Sequence, residues 1–529
     1  MRLPAGLFVL VSVAIVAVWW GLGLAVPMPA SPLAPGEKLY CVSYAPFRGT
    51  QSPLDPTFHV DAAQIEDDLA GLAPLTDCVR TYSTQNGLDQ VPEIAARHGM
   101  KVIQGLWLGG DPAFNRRDIE ATVALAKRYP QVIQSIVVGN EVLLRGEMTV
   151  PDLVATIRQV KAQVTQPVTY ADVWEFWLRY REVAAAVDFV TVHILPYWED
   201  WPIAAREAVA HIDGIRRQVA EAFPGKEVLI GETGWPSAGR MREGALPSPA
   251  NQARVLSEVL ALAKRESFHA NLIEAFDQPW KRLLEGTVGG HWGLLDAYAR
   301  APKFAWGEAV SNHPHWRLQA VGGIVLAALV FVAAVLARRR DGAERPLVWA
   351  AVAVVALGAG VLIGWTTENA MLESLGVGGW IKSLVLVAVA VAGPLAGVAA
   401  LARGNATPTF AIVLGRERST DKLTRTLGLI LVAVSVIAVQ AALGFVFNPR
   451  YRDFPFAPLT AAALPFLALL LHRADGVGQV AERATAAVLA MSAVYIVLNE
   501  GFANWQAVWF CAALAMLAFT LFRARGAPG

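Results

Sequence analysis

Two hydrophobic rhythms run along this 529-residue chain, and the change between them falls near position 316. From 38 to 315, short apolar runs alternate with longer stretches whose apolar residues recur at helical spacing, and charges occur throughout. From 318 to 522 the chain is mostly Ala, Val, Leu, Gly and Phe, in blocks of about twenty residues with almost no charge.

In the first region the runs 38–44 (KLYCVSY), 78–82 (CVRTY), 101–107 (KVIQGLW), 133–140 (IQSIVVGN), 167–172 (PVTYAD), 187–193 (VDFVTVH), 226–231 (KEVLIG) and 271–278 (NLIEAFDQ) read as strands. Helical stretches fall between them, among them Ala62–Leu72, Arg116–Tyr129, Pro151–Val164, Ala204–Ala222 and Asn251–Lys264. Several strands are continuous apolar runs, as buried parallel strands are. Eight strands mostly separated by helices predict an α/β fold, a (β/α)8 TIM barrel, over 38–315. A doubly wound open sheet fits less well, because no Gly-rich phosphate turn follows the first strand.

In the second region, apolar blocks near 318–337, 347–366, 380–402, 425–447, 455–472, 484–500 and 505–522 predict an all-α transmembrane bundle of about seven helices over 316–529. The apolar stretch 7–26 behind Arg2 reads as a signal peptide or an uncleaved anchor. We expect the anchor, over 1–27, because "VPMPASPLAPG" offers no clear small-x-small cleavage site. The Pro-rich 28–37 is then a linker. The connections 337–345, 415–425 and 473–483 and the tail "FRARG" are rich in arginine, whereas 366–376 and 499–505 are acidic. "NPRYRDF" (448–454) is an exception, with two arginines on the opposite side. The positive-inside rule then predicts a multi-pass bacterial inner-membrane protein with a cytoplasmic C-terminus and residues 38–315 facing the periplasm. The bundle itself reads as an anchor rather than a conduit, since charged residues are nearly absent from the blocks.

Composition adds little. A formal charge of +1 gives no basic excess to suggest nucleic acid. Three cysteines are too few for a disulfide scaffold. Cys41 and Cys78 lie on successive predicted strands, either as a disulfide in an oxidising compartment or as two small buried thiols.

A barrel of this kind carries its chemistry at the C-terminal ends of its strands. The residues there are Tyr44, Arg80, Tyr82, Trp107, Asn140, Glu141, His193, Tyr197, Trp198, Glu232, Asp277, Trp280 and Lys281. Glu141 and Glu232 end strands four and seven, which face each other across a barrel mouth. Glycoside hydrolysis uses such a pair, one carboxyl protonated and one ionised. Trp107, Trp198, Trp201, Trp235, Trp280 and Trp292 fall at strand ends or in the loops beyond them. About half are expected to stack on sugar rings and the rest to pack in the core. His193 reads as a wall residue.

The segments "VVGNEV" (137–142), "GETGWPS" (231–237), "FDQPWK" (276–281) and "HWGLLD" (291–296) resemble the motifs of glycoside hydrolase family 17, the retaining β-1,3-glucanases and glucan transglycosylases. The resemblance covers 38–308. With the membrane region, it is similar to bacterial members of the β-(1,6)- or β-(1,3)(1,6)-glucan synthase type. It implies Glu141 as acid/base, Glu232 as nucleophile and Asn140 as a partner of the sugar 2-hydroxyl. Tyr197 would orient the nucleophile, and Tyr44, Arg80 and Lys281 would support carboxylates and substrate hydroxyls. Tyr82, Trp107, Trp198, Trp235, Asp277 and Trp280 complete the expected substrate-binding set, with Trp235 as a wall or platform for the sugar. No cofactor or metal is implied. The implied partners are a β-glucan, the lipid bilayer and a membrane glucan synthase. Gln278 departs from the pattern, since eukaryotic members usually carry a glutamate there, and that removes a charge beside Lys281. Remodelling or β-1,6 branching of a β-1,3-glucan is the expected activity. Hydrolysis, or a non-catalytic glucan-binding or export role, are the alternatives. A retaining mechanism predicts carboxylates roughly 5–5.5 Å apart.

Overall fold

A computed structural model describes residues 2–338, 346–413, 421–472 and 478–524. The chain divides into two compact units. One comprises Val26–Ala238 and Gly244–Val310, and the other Met1–Ala25, Gly239–Glu243 and Ser311–Gly529.

The first unit is a closed barrel of eight parallel strands in sequential order. They are β1 (Cys41–Ser43), β2 (Cys78–Arg80), β3 (Lys101–Leu106), β4 (Ile133–Asn140), β5 (Val168–Val173), β6 (Val190–His193), β7 (Val228–Thr233) and β8 (Ala270–Leu272). The crossover helices include Ala62–Leu72, Pro112–Arg128, Val150–Lys161, Ala205–Ala222 and Pro249–Glu266. Capping sets several of their starts: Asp61, Asp111, Thr149 and Ser248 each accept a backbone N–H from the first turn. Their apolar faces, such as Leu153, Ile157 and Val160, close over strand residues such as Ile136 and Val138 in one core.

β7 carries Glu232 near its end, as expected, whereas the end of β8 differs. Glu232 pairs with His193 of β6, and Thr233 with Leu272 of β8, so the acid sits inside the ladder. β8 stops at Leu272 rather than Gln278. Beyond it the backbone N–H groups of Glu274 and Asp277 bond to Trp292 and Leu295 and that of Ala275 bonds to Ser43, which draws the chain out of the sheet.

Cys41 and Cys78 are joined in a disulfide across β1 and β2, with Cα atoms 4.4 Å apart. Of the two readings of this pair, the structure has the bridge.

The second unit is helical. Among the described residues, seven of its helices are long and apolar enough to cross a membrane: Leu3–Gly23, Trp316–Ala337, Pro346–Glu373, Gly376–Arg403, Lys422–Phe447, Val480–Glu500 and Trp505–Arg523. The block expected over 455–472 forms a shorter helix, Phe456–Leu469, with Pro465 inside it. The Arg-rich connections 337–345, 415–425 and 473–483 and the tail lie partly outside the described residues.

Candidate active site

Glu232 is held at the C-terminal mouth of the barrel. It is buried, and its Oε1 accepts from the Tyr82 hydroxyl at 2.7 Å and from Arg80 Nη1 at 3.2 Å. Both donors come from the end of β2. Burial alone would raise this carboxyl. His193, Arg80, the Tyr82 hydrogen bond and Lys281 outweigh it and hold Glu232 below the ordinary glutamate value. Glu232 is therefore ionised near neutral pH.

Arg80 ties three strands together. Its guanidinium also donates to the Gly231 carbonyl at 2.7 Å and to Asn140 Oδ1 at 2.6 Å. The second bond commits the Asn140 oxygen, which turns its amide N–H groups outward as donors.

Glu141 follows β4, and its backbone lies in the left-handed region at φ 53°, two residues after Gly139 at φ 85°. The chain turns sharply there, and the Glu141 side chain stays about one-quarter exposed, at 24%. Its Oε1 meets His193 Nδ1 at 2.8 Å. One donor atom from each of Glu141, His193 and Glu232 lies within 4.8 Å of the others. That spacing would suit a metal ion, but Arg80 already bonds Glu232 and His193 already bonds Glu141. Sequence reasoning placed His193 on the wall, but the structure sets it between the two carboxylates.

Lys281 lies beyond β8, and its ammonium donates to both oxygens of Glu274, at 2.9 and 2.8 Å. Burial opposes its charge, but Glu274, Glu285 and Glu232 outweigh it and hold Lys281 above the ordinary lysine value. The carboxylate that Gln278 lacks is thus supplied by Glu274, four positions earlier, which sequence reasoning missed. Gln278 itself is fully buried. It donates to the Ala45 carbonyl and accepts from the Trp280 indole at 2.8 Å. Asp172, at the end of β5, was also missed. It accepts from the Tyr170 hydroxyl, and burial pushes its carboxyl up to about 6.

Three expected substrate contacts are buried and bonded to the barrel wall. Tyr44 is 1% exposed and donates to Asp68, which Arg48 and Arg300 also grip, so it holds the wall and not the carboxylates. Asp277 is sealed in. Lys303 and the Gly293 N–H both bond its Oδ1, and Lys303 and His291 hold it below the ordinary aspartate value against burial. Trp235 has no exposed surface and donates to the Leu246 carbonyl at 3.0 Å, so it packs in the core.

The remaining aromatics stay near the mouth. Tyr197 is buried edge-on against Trp198, Trp235 and Trp292. Trp198 is half-buried and stacks on Trp292, with centroids 6.3 Å apart. Trp107 lies under the Arg145 guanidinium at 4.2 Å, Trp280 is half-buried and Trp201 is exposed.

Residues 41–293 match the family model described as the BtgE/BtgC glycoside hydrolase domain. A glucan 1,3-beta-glucosidase of Arthroderma benhamiae is 28% identical over 263 residues, covering 46% of this chain and 84% of that protein. One from Saccharomyces cerevisiae is 26% identical over 253 residues, covering 44% and 80%. Among solved structures, an active-site mutant of Rhizomucor miehei beta-1,3-glucanosyltransferase in complex with laminaritriose is 26% identical. It covers 51% of this chain and 98% of its own, with a TM-score of 0.45. Residues 41–293 are similar to a glycoside hydrolase domain, and the chain is a glycosidase.

Proposed function

We propose that this domain cleaves β-1,3-glucan with retention, Glu232 being the nucleophile and Glu141 the acid/base. The observation that carries the reading is the short gap between the two carboxylates, within 4.8 Å at their donor atoms. An inverting enzyme keeps about 6.5–9.5 Å to seat a water. Their surroundings also differ in the required sense. Glu232 is buried, ionised and held at Oε1, which assigns Oε2 to attack. Glu141 stands where a leaving group meets solvent.

In the first step Glu232 bonds to the anomeric carbon as the glycosidic bond breaks, and Glu141 gives its proton to the departing oxygen. In the second, the ionised Glu141 takes a proton from an acceptor hydroxyl, which displaces Glu232. Asn140 donates to the sugar 2-hydroxyl. Trp198 and Trp280 offer faces to the rings.

We favour a sugar acceptor over water. The glucan 1,3-beta-glucosidase relatives support the substrate, and the seven apolar helices support a tethered enzyme that remodels a glucan as a synthase delivers it. Tethering adds little to a degrader. The arginine-rich connections support a bacterial inner-membrane location with the barrel in the periplasm and the C-terminus in the cytoplasm. The Cys41–Cys78 bridge supports the same side, because disulfides persist in oxidising compartments. Branching through β-1,6 linkages is the reaction we assign.

The test incubates the full-length protein in detergent with laminari-oligosaccharides. Products longer than the substrate, with β-1,6 linkages by NMR, support the assignment. Shortened products alone establish the second reading, a β-1,3-glucanase. Glu232→Ala and Glu141→Gln each abolish turnover, and wild-type rates in either sink the assignment of roles.

A further inference from the structure

The reaction moves one negative charge across the site. Before glycosyl transfer it rests on Glu232, and afterwards on Glu141, because Glu232 has become an ester. His193 is the side chain placed between these two positions. Its Nδ1 is 2.8 Å from Glu141 Oε1 and its Nε2 is 3.6 Å from Glu232 Oε1. It is 1% exposed, so water does not take its place.

Three features fix the ring. The β6–β7 register shifts between Val192 and His193, and such an irregularity re-aims a side chain. Gly231 leaves room for it: a Cβ there would lie 2.3 Å from Thr191 Cγ2 and 3.2 Å from His193 Cδ2. Arg80 Nη1, a donor only, faces Nε2 at 3.4 Å. The Glu141 carboxylate is an acceptor and faces Nδ1, so Nδ1 carries a hydrogen in either charge state of the ring. The charged and titratable groups around the ring are Arg80 from β2, Glu141 after β4, Asp172 from β5 and Glu232 from β7.

We infer that His193 is a positioning residue for the acid/base, donating Nδ1–H to Glu141 Oε1 and so stabilising the carboxylate that remains when the proton has left. This rests on the roles proposed above for the two glutamates. Oε1 is held, and Oε2 delivers the proton to the leaving oxygen and later takes one from the acceptor. The proton count is unchanged, since His193 keeps its own hydrogen throughout. The bond holds the free oxygen of Glu141 aimed at the glycosidic bond.

A donor bond to the ionised form favours that form, so removing it lets the acid keep its proton to higher pH. The test is the pH profile of kcat/KM on laminari-oligosaccharides for the full-length protein. His193→Ala moves the basic limb up by about one pH unit, a tenfold change in proton affinity. His193→Asn, whose amide N–H reaches the Nδ1 position, brings the limb back toward wild type. His193→Gln reaches the Nε2 position instead and does not, and it stands in for the alanine variant if that one fails to fold. A limb unmoved in both His193→Ala and His193→Gln overturns the inference, whatever the loss of rate. Glu141→Gln separates the two levels. If it keeps turnover with the basic limb intact, the assignment of Glu141 is wrong and the inference falls with it. If it abolishes turnover while the limb is unmoved in the His193 variants, only the inference falls.

Discussion

The hydroxyl of Tyr82 donates to Oε1 of Glu232 at 2.7 Å, a bond from the end of β2 to the end of β7 across the barrel mouth. It is one of the forces that keep Glu232 ionised despite full burial. Tyr82→Phe removes the donor, so Glu232 holds its proton to higher pH. The acid limb of the kcat/KM profile is expected to move up, because the reactive form is the ionised one. A hydrogen bond to a charged group contributes about 1.5–3 kcal/mol, so kcat/KM at neutral pH is expected to fall roughly 10- to 100-fold.

Arg80 is 1% exposed and serves Glu232, Asn140 and the Gly231 carbonyl at once. Lysine keeps the charge but not the fork. Arg80→Lys is expected to cost more in activity than in folding, whereas Arg80→Met leaves Glu232 buried without its cation. Breaking a buried pair costs about 3–5 kcal/mol. Thermal unfolding of the two variants beside their rates separates these effects, and equal loss of Tm in both contradicts the argument.

Trp198 and Trp235 touch the same Tyr197 yet are expected to answer differently to alanine. Trp235 is fully buried, so Trp235→Ala costs about 3–5 kcal/mol and lowers Tm. Trp198 is half-buried at the mouth. Trp198→Ala is expected to raise KM for laminari-oligosaccharides with little change in Tm. Binding isotherms and melts measured on the same preparations check the contrast.

The Cys41–Cys78 bridge closes 37 positions of chain. Loop entropy assigns it about 4 kcal/mol. Reduction by dithiothreitol, or the Cys41→Ala/Cys78→Ala pair, is expected to lower the barrel's Tm by several degrees and leave KM unchanged. Thiol titration in denaturant should find one free thiol before reduction, Cys511, and three after.

Strand periodicity carried the architecture because buried parallel strands write themselves as apolar runs. All eight were legible, and so was the rim on which Glu141 and Glu232 stand. The direction of each rim side chain was less legible. Tyr44, Asp277 and Trp235 lie beside site residues in sequence but turn into the wall, where Asp68, Lys303 and the Leu246 carbonyl satisfy them. His193 and Glu274 turn the other way. The register shift before His193 and the departure of the chain from the sheet after Leu272 reorient them, and both are tertiary events with no residue pattern of their own. A signal for Glu274 did exist: a buried Lys281 needs a counter-charge, and with glutamine at 278 the nearest acid upstream apart from Asp277 is at 274.

Glu141 sits at φ 53°, a backbone region where glycine or asparagine is at ease and most side chains cost about 1–2 kcal/mol. Stability and chemistry therefore pull in opposite directions at this one position. With Glu141 as the proposed acid/base, random substitution screened only for heat resistance is expected to favour Glu141→Gly and to lose turnover. A thermostabilisation campaign on this enzyme has to hold that residue fixed by hand.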